Sequence, residues 1–527
     1  MKRILSLALV ALMALSASIM AAPAMAEEKP PYVEITVEVF DRGTDGGRTD
    51  PTNNYWTDWI KAKVLEDENI GVTFVAVSRW EETPQLNNMM AAGNAPDVCF
   101  TYDISLLTNY RDLGGIIDLA PYIGALLPDL DALLGPDASI PGRNLIQRNM
   151  DPDTGAIFYI PARRMNPAGA NTFIRKDWLD TLGLPLPATR QEFHDALVAF
   201  KEQDPGGIGS ENVVPFTMTP DVRWRAGILI DSFLDPSLSD KERWVNTIIG
   251  TNQNFLLPDI KEGYRFLNQM FHEGLIDPDF FLHTDDVHSD NLIKSGAAGA
   301  FIHNWDQAYR DSPGLLRDLQ ENVPGADIVV IDTFENSAGE YTKFNYDAAG
   351  LNFFIPVTSE ARVEAALRYV NWLARFENFH FLQFGEEGLN HVIENGVPKL
   401  LAVDGPSIQN SPQNIDYTIS MNGVYLGDPD LTARALANSY SVDAAYITNA
   451  FAIALNGGRA LPVVPVTLSA AGPYAEDLRV KGEVLMTTVV TAAPDQFDAV
   501  WDSLIADWLA SGAQEIIDER AEKFFEP

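Results

Sequence analysis

The sequence holds a single cysteine, Cys99, among its 527 residues. This excludes an intramolecular disulfide and any C-x-x-C redox or metal motif. After the first residues, no apolar run approaches the roughly 20 residues that a membrane-spanning helix needs, so the mature chain is not expected to span a membrane. Positive charge is also scarce, with 37 lysines and arginines against 74 aspartates and glutamates and a formal net charge of −37. Nucleic acid is therefore not an expected partner, because its phosphates attract basic side chains.

The common enzyme signatures are missing as well. The sequence has no G-x-x-x-x-G-K loop, no H-E-x-x-H helix and no G-x-S-x-G elbow. Among 74 carboxylates, acidic pairs arise by chance, so such pairs are weak evidence for acid/base catalysis. We therefore expect no catalytic residues, no metal site and no cofactor.

The first 26 residues have the pattern of a secretory signal peptide. Lys2 and Arg3 precede an apolar run over 4–15, and the small-residue site Ala24-Met25-Ala26 precedes Glu27. The apolar run is too short to cross a bilayer. Export with cleavage after Ala26 is therefore expected, and the absence of a cysteine at that site argues against a lipid anchor.

The region after this segment alternates between strand and helix patterns. Apolar residues recur at every second position over 33–39, and 72–77 is rich in β-branched residues, whereas 53–68 and 82–92 have helical spacing. A further short strand is expected over 97–102. Alternation of this kind indicates an α/β fold of mostly parallel sheets flanked by helices, arranged as two lobes with several chain crossings.

Polar and aromatic residues follow four of the predicted strands. Asp41 and Arg42 follow the first strand, Arg79 and Trp80 the second, Tyr102 and Asp103 the third, and Asn304, Trp305 and Asp306 a later apolar segment over 298–302. Ligands of open α/β sheets bind beyond the carboxyl ends of the strands. Aromatic rings stack on the apolar faces of sugars, while Asp, Asn and Arg bond to the hydroxyls. The pattern therefore favours a sugar.

The tryptophans fall into two groups. Four lie within helical patterns and are assigned to packing, namely Trp178, Trp372, Trp501 and Trp508. Three lie in loops or at the ends of elements, namely Trp80, Trp224 and Trp305. For each of them the sequence fits two interpretations equally, a ring that faces a ligand or a ring that fills a core. If Trp305 faces the ligand, its replacement by alanine should weaken binding sharply without unfolding the protein.

One short segment combines histidines with carboxylates. His283 and His288 flank Asp285 and Asp286, and these side chains are acceptable transition-metal ligands. The alternative is a polar loop that caps the following helix. Neither interpretation is decided by the sequence, although we name no metal site.

Several motifs resemble those of family 1 extracellular solute-binding proteins. They are Ala-Ala-Gly-Asn-Ala-Pro-Asp-Val over 91–98, Leu-Gly-Gly-Ile-Ile-Asp-Leu over 113–119, and the segments 173–184 and 271–278. They occur in the family's order over nearly the whole mature chain. Within the family, the chain is most similar to the branch of LplA-like and alginate-oligosaccharide-binding receptors.

The resemblance implies a type II periplasmic-binding-protein fold, with two hinged lobes and a ligand cleft between them. By analogy the first lobe covers 32–165 and 335–400, and the second covers 166–334 and 401–527. The implied ligand is a carbohydrate, usually an oligosaccharide, which a monomeric receptor delivers to the permease of an ABC importer. The residues expected to bind it are Asp41, Arg42, Trp80, Tyr102, Asp103 and Arg163 from the first lobe, and Trp224, Trp305 and Asp306 from the second.

The chain departs from many relatives in a loop that holds calcium in them. The matching stretch is 204–212, where Asp204, Gly209 and Asn212 fit the pattern but Gly206 and Ile208 bring no side-chain oxygen. Since calcium needs about six to eight oxygens, this degenerate loop is not expected to bind it.

Location and rival functions complete the expectations. A receptor without a lipid anchor stays near its permease only if a second membrane confines it, so we expect the periplasm, or secretion in a single-membrane host. A secreted carbohydrate-active enzyme, such as a lyase or glycosidase, stays open as the alternative. So does a receptor for another solute such as a peptide, because a fold alone does not select a ligand.

Overall fold

The computed structural model describes residues 29–43, 49–140, 142–250, 253–283, 285–311, 313–332, 334–336, 338–341, 343–401, 415–464, 466 and 468–524. The predicted signal peptide over 1–26 lies outside these residues. Within the described ranges, no helix combines the length and the apolar character required to cross a bilayer.

The described residues form fourteen strands, numbered in chain order. They are β1 Val33–Asp41, β2 Ile70–Ser78, β3 Cys99–Thr101, β4 Ile160–Arg164, β5 Ala170–Arg175, β6 Val214–Thr217, β7 Ala298–Asn304, β8 Ile328–Ile331, β9 Lys343–Phe344, β10 Ala349–Phe354, β11 His391–Glu394, β12 Val397–Leu400, β13 Met421–Asn422 and β14 Gly458–Arg459.

The α-helices are numbered in the same way. They are α1 Tyr55–Glu68, α2 Glu82–Ala92, α3 Ile104–Asp112, α4 Ile123–Leu126, α5 Pro128–Leu134, α6 Lys176–Leu182, α7 Arg190–Gln203, α8 Val222–Asp231, α9 Asp240–Val245, α10 Ile260–His272, α11 Val287–Lys294, α12 Leu315–Asn322, α13 Val363–Leu373, α14 Phe376–Phe384, α15 Ile415–Thr418, α16 Pro429–Ala437, α17 Ala444–Leu455, α18 Ala471–Thr491, α19 Phe497–Trp508 and α20 Gln514–Lys523.

The first three strands lie side by side and point the same way. Strand β1 pairs with β2 in parallel over its whole length, and a parallel bridge joins Val37 of β1 to Val98, next to β3. The carboxyl ends of the three strands therefore meet at one edge of the sheet. This is the edge at which the sequence predicted a ligand.

The two larger sheets are mixed rather than mostly parallel, which corrects the expectation from the sequence. One has the strand order β13-β4-β10-β3 and the other β6-β7-β5-β8. Strand β10 is antiparallel to β3 and β4, and β5 is antiparallel to β7 and β8. The connections between the two sheets explain part of this. The chain passes from β4 in one sheet to β5 in the other, and it returns from β8 to β10. Outgoing and returning strands that pair as neighbours run in opposite directions.

Separate hydrophobic cores define two lobes. The core of the first lobe draws buried residues from 35–162 and 351–421. The second lobe has two clusters, one from 170–334 and 464–517 and the other from 168–330 and 437–454. The α/β two-lobe fold class is confirmed.

The predicted division of the chain differs from the structure in two segments. Lys343 lies in β9, which pairs with β14, and its ammonium contacts Asp332 and the Ile453 carbonyl, although the analogy had placed 335–400 in the first lobe. Tyr417, Ile419 and Met421 pack in the first core, and Met421 pairs with Arg163 of β4. The analogy had placed everything after residue 400 in the second lobe. A further crossing therefore follows β13. No sequence pattern marks it, because the segment is short and pairs with a distant strand.

Candidate ligand-binding cleft

A cavity of about 1370 Å³ lies between the two lobes, and we call it the cleft. Its volume exceeds the roughly 300–1,000 Å³ that is usual for small-molecule sites. Seven of the nine residues predicted to bind the ligand line it, namely Arg42, Trp80, Tyr102, Arg163, Trp224, Trp305 and Asp306. The structure thus brings together residues from the ends of β1, β2, β3 and β7, although their contact with a ligand stays a prediction.

The other two predicted residues do not line the cleft. The Asp41 carboxylate is exposed and accepts a hydrogen bond from the backbone amide of Gly43 at 2.9 Å. The Asp103 carboxylate accepts one from the Leu106 amide at 3.1 Å and so caps α3. Burial raises the pKa of Asp103, and the amides that it accepts from oppose this rise. Both carboxylates therefore have local structural roles.

The wall of the first lobe is an aromatic platform held by one arginine. The Arg79 guanidinium lies 4.7 Å from the ring centroid of Tyr102, 5.4 Å from Trp80 and 5.2 Å from Phe40. Its Nη1 donates to Glu82 at 2.8 Å, which fixes its position. The Trp80 side chain is 77 % exposed. An indole held at the cleft with one face free is a surface on which a flat apolar ligand face can stack.

Two consecutive arginines end β4 and have different surroundings. Arg163 Nη1 donates to the carbonyl oxygens of Leu133 and Leu134 at 3.2 and 2.7 Å. The Arg164 guanidinium lies 4.1 Å from the ring centroid of Tyr346, which stands on the returning crossover. Burial raises the pKa of Tyr346 to about 12, and the charge of Arg164 acts against this rise.

The wall of the second lobe holds a buried charge network. The fully buried Asp306 carboxylate accepts from Arg310 at 2.7 Å and from the Tyr440 hydroxyl at 2.6 Å. A carboxylate that is already satisfied in this way fixes the wall and has little capacity left for a ligand. Asp306 lines the cleft, its contacts are within the protein, and its contact with a ligand stays a prediction.

Trp305 is buried, with only 5 % of its surface exposed. Its ring packs against Phe451 at 5.3 Å and Tyr440 at 6.3 Å within a core cluster of the second lobe. The core-filling interpretation therefore holds for most of this side chain. The expectation that Trp305→Ala leaves the fold intact is not supported, because a large buried ring would be lost.

A second charge cluster also lines the cleft. Asp286 pairs with Arg225 and lies 3.3 Å from Nε2 of His303. Burial and the charge of Arg225 lower the pKa of His303 to about 3, against the opposing effect of Asp286. Burial acts to raise the pKa of Asp286, but His303 and Arg225 outweigh it and hold that pKa well below its ordinary value. The imidazole is therefore neutral at physiological pH.

Trp224 completes the second wall near the hinge. It opens α8, where the Asp221 carboxylate accepts from its backbone amide at 3.2 Å. The indole is half-buried and lies 6.4 Å from the ring of Tyr346. Of the second lobe's two predicted tryptophans, Trp224 is the more accessible.

The sequence profile of the bacterial extracellular solute-binding protein family matches residues 50–377. The chain belongs to this family. A relative named polygalacturonan/rhamnogalacturonan-binding protein YtcQ, from Bacillus subtilis (strain 168), is 23 % identical over 474 residues, which cover 87 % of this chain and 86 % of the relative.

Solved structures give the same fold at lower identity. The alginate-binding protein AlgQ2, in a crystal structure without calcium ion, has a TM-score of 0.69 at 19 % identity and covers 94 % of this chain and 98 % of that one. The Streptococcus pneumoniae substrate-binding protein FusA in complex with kestose has a TM-score of 0.64 at 15 % identity, covering 93 % of this chain and 98 % of that one. These likenesses support the two-lobe architecture.

The prediction that this solute-binding protein holds no metal ion stays untested. Both oxygens of Asp204 accept from loop amides, those of Ile208 at 2.9 Å and Gly209 at 2.8 Å. The imidazoles of His283 and His288 stack at 3.9 Å, and His288 Nε2 lies 2.9 Å from Asp277. Across the ranges that the structure covers, no group of three or more His, Cys, Asp or Glu side chains is arranged to hold a metal ion.

Sequence reasoning missed several residues that line the cleft, among them Arg79, Tyr346, Arg310 and Tyr440. The sequence places Arg79 with Trp80 at a strand end, but Arg79 is not among the residues predicted to bind the ligand. Arg310 stands four residues after Asp306, a spacing typical of a salt bridge within one helical turn. Tyr346 and Tyr440 reach the cleft through crossovers, and no local pattern marks them.

Proposed function

We propose that this solute-binding protein captures an oligosaccharide in the cleft and delivers it to an ABC importer. The observation that carries the proposal is the first wall, where the exposed indole of Trp80 stands beside Tyr102 on the platform held by Arg79. Aromatic faces suit the C–H faces of sugar rings, and the neighbouring arginines supply donors to hydroxyl groups.

The size of the cleft is also consistent with a ligand of several sugar units. Its volume of about 1370 Å³ is larger than that of typical pockets for single small molecules. The names of relatives refer to polygalacturonan or rhamnogalacturonan, alginate and fructooligosaccharide as ligands. These ligands share a chain of sugar units and differ in charge.

The mechanism that we propose is closure of the lobes around the sugar. A ligand that contacts both walls favours the closed form by its extra contacts there. The chain leaves the first lobe after β4 and returns to it before β10, and these two strands pair side by side, so two of the crossings lie next to each other and can act together as a hinge. The permease would recognise the closed, loaded form.

The proposal includes the location and the absence of catalysis. We propose that the protein acts in the periplasm, or outside the cell in a single-membrane host, as a monomer and without turning over its ligand. Two cleft carboxylates, Asp286 and Asp306, are held in ion pairs with Arg225 and Arg310, an arrangement that suits a scaffold better than an acid/base pair.

A thermal-shift screen tests the ligand class. The panel contains neutral oligosaccharides, uronate oligosaccharides and peptides, and a specific ligand raises the midpoint of unfolding because it binds only the folded state. We expect stabilisation by at least one oligosaccharide and recovery of that oligosaccharide intact after long incubation. Stabilisation by peptides alone would refute the sugar assignment, and shortened products would establish the enzyme alternative.

A further inference from the structure

The cleft concentrates arginine in a chain that is otherwise strongly acidic. Six arginines line it, namely Arg42, Arg79, Arg163, Arg164, Arg225 and Arg310, although the chain has a formal net charge of −37. Two of the carboxylates that line the same cavity, Asp286 and Asp306, are engaged by Arg225 and Arg310. With six arginines against five carboxylates, namely Glu81, Asp221, Asp285, Asp286 and Asp306, the lining of the cleft lacks the acidic excess of the chain as a whole.

Arg164 differs from the other five in its partners. Its guanidinium is half-buried and stacks on Tyr346, and no described side chain or backbone group gives it an ion pair or a hydrogen bond. Its Nε is buried without an acceptor. Half-buried cations normally have an acidic partner, because withdrawing a charge from water is costly.

Two neighbours share part of this property. Among the buried polar side-chain atoms of the described residues that lack a hydrogen-bond partner, three are arginine Nε atoms, and they belong to Arg79, Arg164 and Arg310. All three residues line the cleft. Burial acts to lower the pKa of Arg310, and the nearby charge of Arg42 acts in the same direction. The charge of Asp306 outweighs both and holds that pKa above its ordinary value. Cations from both lobes thus face one space.

The position of Arg164 is also special. Together with Tyr102 and Tyr346 it lines both the cleft and an adjoining cavity of about 620 Å³. A ligand chain that extends from one cavity into the other must pass this residue. A guanidinium with one face on a tyrosine ring leaves its edge for a planar group with two oxygens, which is the geometry of a carboxylate.

We propose that Arg164 binds a carboxylate of the ligand at the junction of the two cavities, so that the captured oligosaccharide contains uronic acid units. This inference rests on the proposed capture of an oligosaccharide. It assigns a charge class that the relatives leave open, since their names include charged and uncharged sugars.

The first experiment varies the ligand on the unchanged protein. Calorimetric titrations use trigalacturonate, trimannuronate, their methyl esters, the neutral kestose and maltotriose, and triglutamate as a non-sugar carboxylate. We expect a uronate trisaccharide to bind and its methyl ester to bind about 30-fold more weakly, as for loss of one partner of a charge pair. Equal binding of acid and ester, or binding of triglutamate alone, would overturn the inference.

The second experiment varies the protein. Arg164→Gln should weaken binding of the uronate by about 30-fold and leave the much weaker binding of its methyl ester nearly unchanged, whereas Arg164→Lys should recover part of the loss. Arg317→Gln is the matched control, because Arg317 is exposed and pairs with Asp318 outside the cleft. An unfolding curve of each variant checks the fold.

The outcomes separate the two proposals. If only kestose or maltotriose binds, the oligosaccharide receptor stands and the uronate assignment fails. Binding of the uronate with full affinity in Arg164→Gln would remove Arg164 from the site. If no sugar binds to the protein, the proposed function fails together with the inference.

Discussion

Trp80 and Trp305 both line the cleft, one on each lobe, yet the first is 77 % exposed and the second only 5 %. The arginines repeat this contrast. Arg164 has no acidic partner within the described structure, whereas Arg310 pairs with the buried Asp306. The first wall thus presents side chains that are exposed or lack a partner, whereas the side chains of the second wall pack and form ion pairs within the protein. Ligand affinity and folding stability should accordingly respond to changes on different walls.

The largest effect on stability is expected from Trp305→Ala. The ring fills a core beside Phe451 and Tyr440, so its loss should lower the free energy of unfolding by about 4 kcal/mol. Urea denaturation measures this change, with Trp80→Ala as the matched control on the opposite wall. A loss below about 1 kcal/mol for Trp305→Ala would show that the second wall is not built as described.

Asp306→Asn tests the buried charge network of the second wall. The substitution preserves the shape of the side chain but leaves Arg310 without its counter-charge, so we expect a loss of about 3 kcal/mol in the free energy of unfolding. Asp41→Asn is the comparison, because Asp41 is exposed outside the cleft and should change stability by less than about 0.5 kcal/mol. Equal losses for Asp306→Asn and Asp41→Asn would contradict the claim that the buried network stabilises the fold more than an exposed carboxylate does.

The pH dependence of stability gives a third test of the same wall. The pKa of His303 is lowered to about 3 from an ordinary value of 6.5. The unfolded chain therefore takes up a proton below pH 6.5 that the folded chain does not, and stability falls as the pH falls from 6.5 towards 3. The expected loss between pH 7 and pH 5 is about 2 kcal/mol.

His303→Asn should flatten this dependence. Urea unfolding at pH 5, 6 and 7 for the wild type and the variant isolates the contribution of this imidazole, since the other histidines titrate in both proteins. Parallel pH curves would mean that His303 is protonated or solvated in the folded state.

The smallest change in stability is expected for Trp80→Ala on the first wall. With 77 % of the side chain exposed, the free energy of unfolding should stay within about 0.5 kcal/mol of the wild-type value. The affinity for the ligand found in the thermal-shift screen should fall by about tenfold, as stacking on an aromatic ring contributes roughly 0.5–1.5 kcal/mol beyond area burial. Unchanged affinity by calorimetry would remove Trp80 from the site.

The local elements of this fold were predictable from the sequence because their signals are local. Alternating apolar residues predicted β1 and a run rich in β-branched residues predicted β2, and the structure confirms both strands. The tryptophans at helical spacing are buried as predicted, namely Trp178, Trp372, Trp501 and Trp508. The clustering of Arg42, Trp80 and Tyr102 followed from the rule that parallel strands end at one edge.

The failures involve distant partners. Strand direction depends on where the chain crosses between lobes, so the mixed sheets could not be read from periodicity. Trp305 is buried by Tyr440 and Phe451, more than a hundred residues later in the chain. Arg163 and Arg164 are equivalent in sequence, but neighbouring strand residues point to opposite faces, and only the structure shows which one faces Tyr346.

The central claim, that two unlike walls close on one oligosaccharide, is tested most directly by small-angle X-ray scattering. The radius of gyration is measured for the wild type without ligand and at saturation with the oligosaccharide identified in the screen. Our account predicts a smaller radius on saturation, and a smaller decrease for Trp80→Ala than for the wild type at a ligand concentration of about three times the wild-type Kd, where tenfold weaker binding leaves most of the variant unoccupied. Full occupancy by calorimetry with an unchanged radius of gyration would contradict capture by closure.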